Sequence, residues 1–278
     1  MTQYAAVLLD PAVVQFELPA SSDEALPGIP WGAVDAFPTP AYWTYQVLAR
    51  RVSGQTIRYR LGDTLAEEVA ACLLGGHGIP ASVGVAAFHY LKSARLLEGT
   101  PSEASISAAL AKPIEVDGRS VRYRFVRQKS RYVSAALARL AADVPPLDSG
   151  RALRDWLLDI PGVGYKTASW IARNWLDADD IAILDIHILR AGALAGFFAR
   201  GLTVQRDYLE LEEQFLRFSR AIGVRASELD AVMWLEMMSS PATIRRLLHL
   251  GRSPVTGTRA GAGADIRDTD PRQASLLD

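Results

Sequence analysis

The chain has 278 residues, 49% of them apolar and 22% charged, with a formal net charge of −1, an ordinary composition for a soluble globular protein. No apolar run approaches the roughly 18 residues of a membrane span, and Met1-Thr2-Gln3-Tyr4 carries no basic start of a secretory signal, so the expected location is cytoplasmic with no membrane partner. The single cysteine, Cys72, excludes an internal disulfide and a cysteine-ligated iron–sulfur cluster, and His77, His89, His187 and His249 are scattered without metal-ligand spacing.

Residues 1–58 read as a mixed N-terminal extension. Pro11, Pro19, Pro27, Pro30, Pro38 and Pro40 interrupt it, residues 4–18 predict a short strand or two, and Trp31, Phe37 and Trp43 require something to pack on. From about 60 to 250 the apolar spacing is helical. Helices are predicted over 64–74, 82–97, 102–110, 127–143, 150–159, 165–176, 185–195, 206–222 and 226–238. A glycine turn, Gly75-Gly76-His77-Gly78-Ile79-Pro80, separates the first two, and a small hairpin is expected over 112–121 around Asp117-Gly118. Many helices with short connections predict a mainly α core. Residues 251–278 lose all periodicity and read as a disordered tail.

Two features of charge usage stand out. Arg119, Arg122, Arg124, Arg127, Lys129 and Arg131 fall within thirteen residues with no acid, and Tyr123 and Phe125 are interleaved. That is either a solvated helix edge or a local grip for a phosphate backbone in a chain without net positive charge. Of the 30 lysines and arginines only Lys92, Lys112, Lys129 and Lys166 are lysines. A lysine amine can be tuned into a nucleophile, whereas arginine stays protonated.

Lys166 follows Ile160-Pro161-Gly162-Val163-Gly164-Tyr165. Gly162 and Gly164 both permit positive φ and close approach of another backbone. The amides around Val163 and the start of the next helix then point outward together, which suits a phosphate; a tight turn without ligand is the alternative. Lys166 sits in the first helical turn, where the helix-end potential and partial burial favour the neutral amine; a further phosphate contact is its other role. Nineteen residues on, Asp185 precedes a helix as an N-cap, and equally as a fixed carboxylate able to stabilise positive charge on a sugar ring.

At these residues the chain resembles the helix-hairpin-helix DNA glycosylases, and within them the archaeal-type second family of 8-oxoguanine DNA glycosylase/AP lyases. The resemblance rests on residues 160–169 with Arg173-Asn174, on Ile181-Ala182-Ile183-Leu184-Asp185-Ile186-His187-Ile188-Leu189-Arg190, and on Tyr208-Leu209-Glu210 through Ser227-Glu228-Leu229-Asp230 to Trp234. A weaker block is Tyr123-Arg124-Phe125-Val126-Arg127. Together they span roughly 120–234.

The resemblance implies two helical subdomains of the glycosylase fold within 59–250. It implies that Lys166 attacks the sugar C1′ and forms a Schiff base, and that Asp185 is the catalytic carboxylate. Asp230 and Trp234 would hold the extruded base by hydrogen bond and stacking, with Phe125 as a further stacking candidate and a core aromatic as the alternative for Trp234. Gly162, Val163, Gly164, Arg124, Arg127, Lys129 and His187 would contact DNA phosphates, and His77 would be the gap-filling wedge. The partner is double-stranded DNA with a damaged or modified base, bound by a monomer. No metal or cofactor is expected, a monovalent cation at the hairpin being the single candidate.

Two departures bear on which base is removed. The family's chain ends shortly after the tryptophan, and its terminal carboxylate helps read the oxidised base; here residues continue past Ser239. The first 58 residues also lack a counterpart and would supply a missing pocket wall. The same chemistry on another modified purine, as in foreign DNA, and a non-catalytic hairpin module are the competing readings.

Overall fold

A computed structural model describes residues 1–55, 59–239 and 241–250, so the tail expected over 251–278 lies outside the described residues. The chain is mainly α. The described residues fall into two compact units, one drawn from residues 1–55, 177–239 and 241–250, the other from Tyr59–Leu176. The segment 59–250, expected to hold two helical subdomains, divides between these units at 176/177, and the N-terminal residues share a unit with its second half. No helix among the described residues is long and apolar enough to cross a membrane.

In the first unit, β1 (Gln3–Leu9) and β2 (Ala12–Leu18) form an antiparallel hairpin in register from Gln3↔Leu18 to Leu9↔Ala12. Burial alternates along β1, as the twofold pleat requires. The Gln3 amide staples the hairpin to the following loop, donating to Pro19 O (3.0 Å) and Gly32 O (2.7 Å) and accepting from Val34 N–H (3.1 Å). A minimal pair, β3 (Glu24–Leu26) and β4 (Ile29–Pro30), follows.

Helix α1 (Pro40–Val52) lies within the proline-rich stretch where no helix was expected. Its start obeys end rules rather than periodicity. Thr39 is the N-cap, with Oγ1 accepting from Tyr42 N–H at 3.1 Å, and Pro40 occupies the first turn, where a missing N–H costs nothing. Trp43 is fully buried in a core with Leu18, Trp31, Phe215, Phe218 and Leu229. The same unit holds α8 (Ile186–Ala195), α9 (Tyr208–Ala221), α10 (Ala226–Ser239) and α11 (Pro241–Leu250). Helix α1 packs along α10, where Tyr42 Oη (3.2 Å) and Arg50 (2.9 Å) both reach Glu236, and Arg51 pairs with Glu228. Burial, then the Glu236 carboxylate, push the Tyr42 phenol up to about 12.

The second unit contains α2 (Leu65–Leu74), α3 (Ala81–Ser93), α4 (Glu103–Leu110), the hairpin β5 (Ile114–Val116)–β6 (Arg119–Val121), α5 (Val126–Ala142), α6 (Gly150–Leu157) and α7 (Tyr165–Leu176). Thr64, Ser102 and Ser149 cap α2, α4 and α6 through their hydroxyls. Its core gathers Leu73, Leu74, Phe88, Leu91, Ile106, Leu110, Leu137, Leu153 and Leu157, all nearly inaccessible to solvent. Helix α5 packs on both α2 and α4, and α7 packs on α6 and α2.

Candidate nucleic-acid interface and active site

The hairpin between α6 and α7 is built by a Pro-Gly turn. Val163 N–H donates to Ile160 O at 3.0 Å, Pro161 is the first central residue and Gly162 the second, with φ +88°. This is the type II arrangement, in which the second position needs glycine. The site is also crowded: a Cβ on Gly162 would collide with the Tyr132 ring of α5. Gly164 differs from the expectation, for it is not among the residues of positive φ. It opens α7 instead, its carbonyl accepting from Ala168 N–H at 2.9 Å, and open space surrounds the place a Cβ would take. Only one of the two glycines is therefore demanded by the turn; the other leaves room beside the first turn of a helix. Val163 between them points into the core.

Lys166 stands in that first turn and is exposed, in place of the partial burial expected. Its neighbours Pro161, Gly162, Gly164 and Tyr165 are exposed too, so the whole lip of the hairpin faces solvent.

On the same unit, the basic stretch resolves into two populations. Arg119, Arg122, Arg124, Arg127 and Arg131 are exposed, and among the described residues none of them forms an ion pair. By contrast Arg50, Arg51, Arg95, Arg139 and Arg225 all face carboxylates. Lys129 corrects the expectation of a phosphate contact. Its Nζ turns inward and donates to Leu73 O (2.6 Å) and Gly75 O (2.7 Å), at the C-terminal end of α2, where carbonyls lack helical donors and a cation is favoured. Burial lowers its pKa below the usual lysine value. Phe125 is 40% exposed, in the left-handed region (φ +64°), with the Arg124 guanidinium 4.8 Å from its ring centroid. Its ring packs against Gly78, so it belongs with the turn that carries His77. His77 is exposed between Gly76 (φ +104°) and Gly78 (φ +79°).

The first unit holds the remaining residues. Asp185 caps α8: its Oδ1 accepts from His187 N–H at 2.8 Å and Ile188 N–H at 3.2 Å. The run before it is anchored at three successive amides. Ala182 N–H donates to Glu212 Oε1, Ile183 N–H to Asp230 Oδ2 and Leu184 N–H to Tyr208 Oη, each at 3.1 Å. The Tyr208 hydroxyl in turn donates to Ala182 O at 2.8 Å. Asp230 is only 3% exposed, so at least one oxygen of this expected base contact is committed to holding the segment that ends in Asp185. Trp234, one turn further along α10, is partly buried against the core, with the His187 ring edge-on at 6.5 Å. His187 and Trp234 are thus brought together, although they had been given separate roles. Glu212 and Tyr208 had no expected role. The signal for Glu212 was present: an acid on the apolar face of a helix, beside Leu211, Phe215 and Leu216, must find a buried donor.

A Pro-Gly turn opening a helix with an exposed lysine, in a unit that also carries exposed arginines with no ion pair among the described residues, is the equipment of a helix-hairpin-helix protein. The chain belongs to the family described as 8-oxoguanine DNA glycosylase, which it matches over residues 55–224. It is 30% identical over 121 residues to the 8-oxoguanine DNA glycosylase/AP lyase of Methanocaldococcus jannaschii, covering 42% of this chain and 58% of that protein. The protein of the same description from Thermoplasma acidophilum is 32% identical over 120 residues, covering 41% and 57%. The chain therefore spans less than two thirds of the length of these curated relatives. The crystal structure of the M. jannaschii glycosylase aligns with a TM-score of 0.48 at 24% identity, covering 63% of this chain and 78% of that one.

Proposed function

We propose that the chain is a bifunctional DNA glycosylase and AP lyase that extrudes 8-oxoguanine from double-stranded DNA and excises it as a monomer. The carrying observation is the exposed Lys166 in the first turn of α7, directly after a turn whose second glycine leaves the approach open. The deprotonated Lys166 amine attacks C1′ of the sugar. The bond from C1′ to the base breaks, and the base leaves with the bonding pair and takes up a proton. Loss of the amine proton and opening of the sugar ring leave an iminium, from which removal of a C2′ proton expels the 3′ phosphate. Asp185 stabilises the positive charge that develops on the sugar. The relatives' printed descriptions, 8-oxoguanine DNA glycosylase/AP lyase, support the same reading.

Borohydride reduction during reaction with 8-oxoguanine opposite cytosine tests it. Wild-type protein is expected to leave a covalent protein–DNA adduct, and Lys166→Gln none. Duplex binding without adduct, and with abasic sites left uncut, would instead mark a non-catalytic hairpin module.

One observation favours a second reading, the same chemistry on a different modified purine. Helix α10, which carries Trp234, packs against α1, where Tyr42 and Arg50 reach Glu236, and against α11. A base site walled by these elements selects its own substrate, and a panel of duplexes with different modified purines decides between the two.

A further inference from the structure

The C-terminal end of α2 has an unusual solution to its unpaired carbonyls. Helices commonly end on a left-handed glycine that turns following amides back onto the last carbonyls. Gly75 is instead extended (φ −88°, ψ −165°), so the last carbonyls are taken from outside the helix. Lys129 Nζ takes Leu73 O and Gly75 O, and the Tyr123 hydroxyl takes Leu74 O at 2.5 Å. Three successive carbonyls are held by two side chains, both from the segment that carries the exposed arginines. The packing is equally close. Gly84 of α3 lies where a Cβ would come within 3.2 Å of the Gly75 Cα, and the Phe125 ring lies 3.4 Å from the Cβ position of Gly78. Three residues along α5 from Lys129, Tyr132 supports Gly162 of the lysine-bearing hairpin.

A turn that enters duplex DNA must keep its shape against stacked bases, and an enzyme that works on a duplex base must meet the cost of unstacking it. From this arrangement we infer that Lys129 and Tyr123 are positioning residues for base extrusion: they lock the His77 turn to the arginine segment, so that turn and backbone grip meet the duplex as one rigid piece. Neither touches the base or the sugar. Their loss leaves the chemical step intact and weakens the opening of the duplex. This inference rests on the glycosylase reading above.

Single-turnover excision of 8-oxoguanine, from a duplex and from the same strand alone, separates the two steps. For Lys129→Met, which keeps the stem and removes the donors, the duplex rate is expected to fall about tenfold or more, the rate equivalent of one or two lost hydrogen bonds. The single-strand rate stays within about twofold, because there is no stack to open. Lys129→Arg, which keeps donors, recovers most of the duplex rate, and Tyr123→Phe, a smaller change, shows the same duplex-only loss. An equal fall on both substrates, or no fall on either, overturns the inference. Wild-type protein that excises 8-oxoguanine from neither substrate sinks the 8-oxoguanine reading itself, a result seen before any variant is compared.

Discussion

At the scale of single residues, the two hairpin glycines separate folding from function. Gly162 has φ +88° and the Tyr132 ring where a side chain would go. Gly162→Ala therefore combines left-handed strain of about 1–3 kcal/mol with a clash that must displace Tyr132. A clear fall in Tm is expected, with DNA binding lost as a consequence. Gly164 has neither constraint, and nothing lies near its Cβ position. Gly164→Ala is expected to leave stability within about 0.5 kcal/mol and, on the proposed DNA-binding role of the hairpin, to weaken duplex binding severalfold, by filling space a phosphate would enter. Thermal melts beside fluorescence-anisotropy titrations check the pair; equal affinity for wild type and Gly164→Ala would remove the phosphate role from this glycine. The sequence alone treated these glycines as equivalent, because a Gly-x-Gly spacing does not say which residue the turn requires. The Pro-Gly pair just before Val163 carried that information.

At the scale of elements, the segment leading into α8 is fixed from the side by α9 and α10. Tyr208 both accepts from Leu184 N–H and donates to Ala182 O, and so holds the run one residue before Asp185. Tyr208→Phe leaves a buried amide and a buried carbonyl without that partner, at a cost of about 1–3 kcal/mol for each buried group left unsatisfied. On the glycosylase reading, the expected result is a lower kcat for excision with KM for the duplex nearly unchanged, since the Asp185 carboxylate would be misplaced while the exposed arginines of the other unit are untouched. A rise in KM at constant kcat would show that the segment serves binding instead. Such cross-links are invisible in sequence, since they join residues 24 to 47 positions apart. Local rules were legible: Thr64, Ser102 and Asp185 announced helix starts, and 165–176 was read with its observed ends. Helix α1 was missed because Pro38 and Pro40 looked like breakers, although Thr39-Pro40 is a helix start by end chemistry.

At the scale of the whole molecule, a net charge of −1 hides a strongly uneven distribution. Most of the arginines in the ion pairs described above are neutralised where they stand, whereas Arg119, Arg122, Arg124, Arg127 and Arg131 remain exposed without one. The run of basic residues was evident in sequence, but not that Lys129 turns inward while its arginine neighbours turn out, because that depends on where α2 ends. Arginines without acidic partners keep their full attraction for phosphate and release counterions when DNA binds. Replacing Arg124 and Arg127 together by alanine is therefore expected to weaken binding of modified and unmodified duplexes alike. It should also flatten the plot of log affinity against log salt by about 1.8, from about 0.9 for each lost phosphate contact. Arg95→Ala is the control: its guanidinium already pairs with Glu98 at 3.0 Å, so the salt slope should not move. Anisotropy titrations across a range of salt concentrations measure both. A slope unchanged in the double variant would place the DNA grip elsewhere on the protein, and a loss confined to the modified duplex would move these arginines from backbone contact to reading the base.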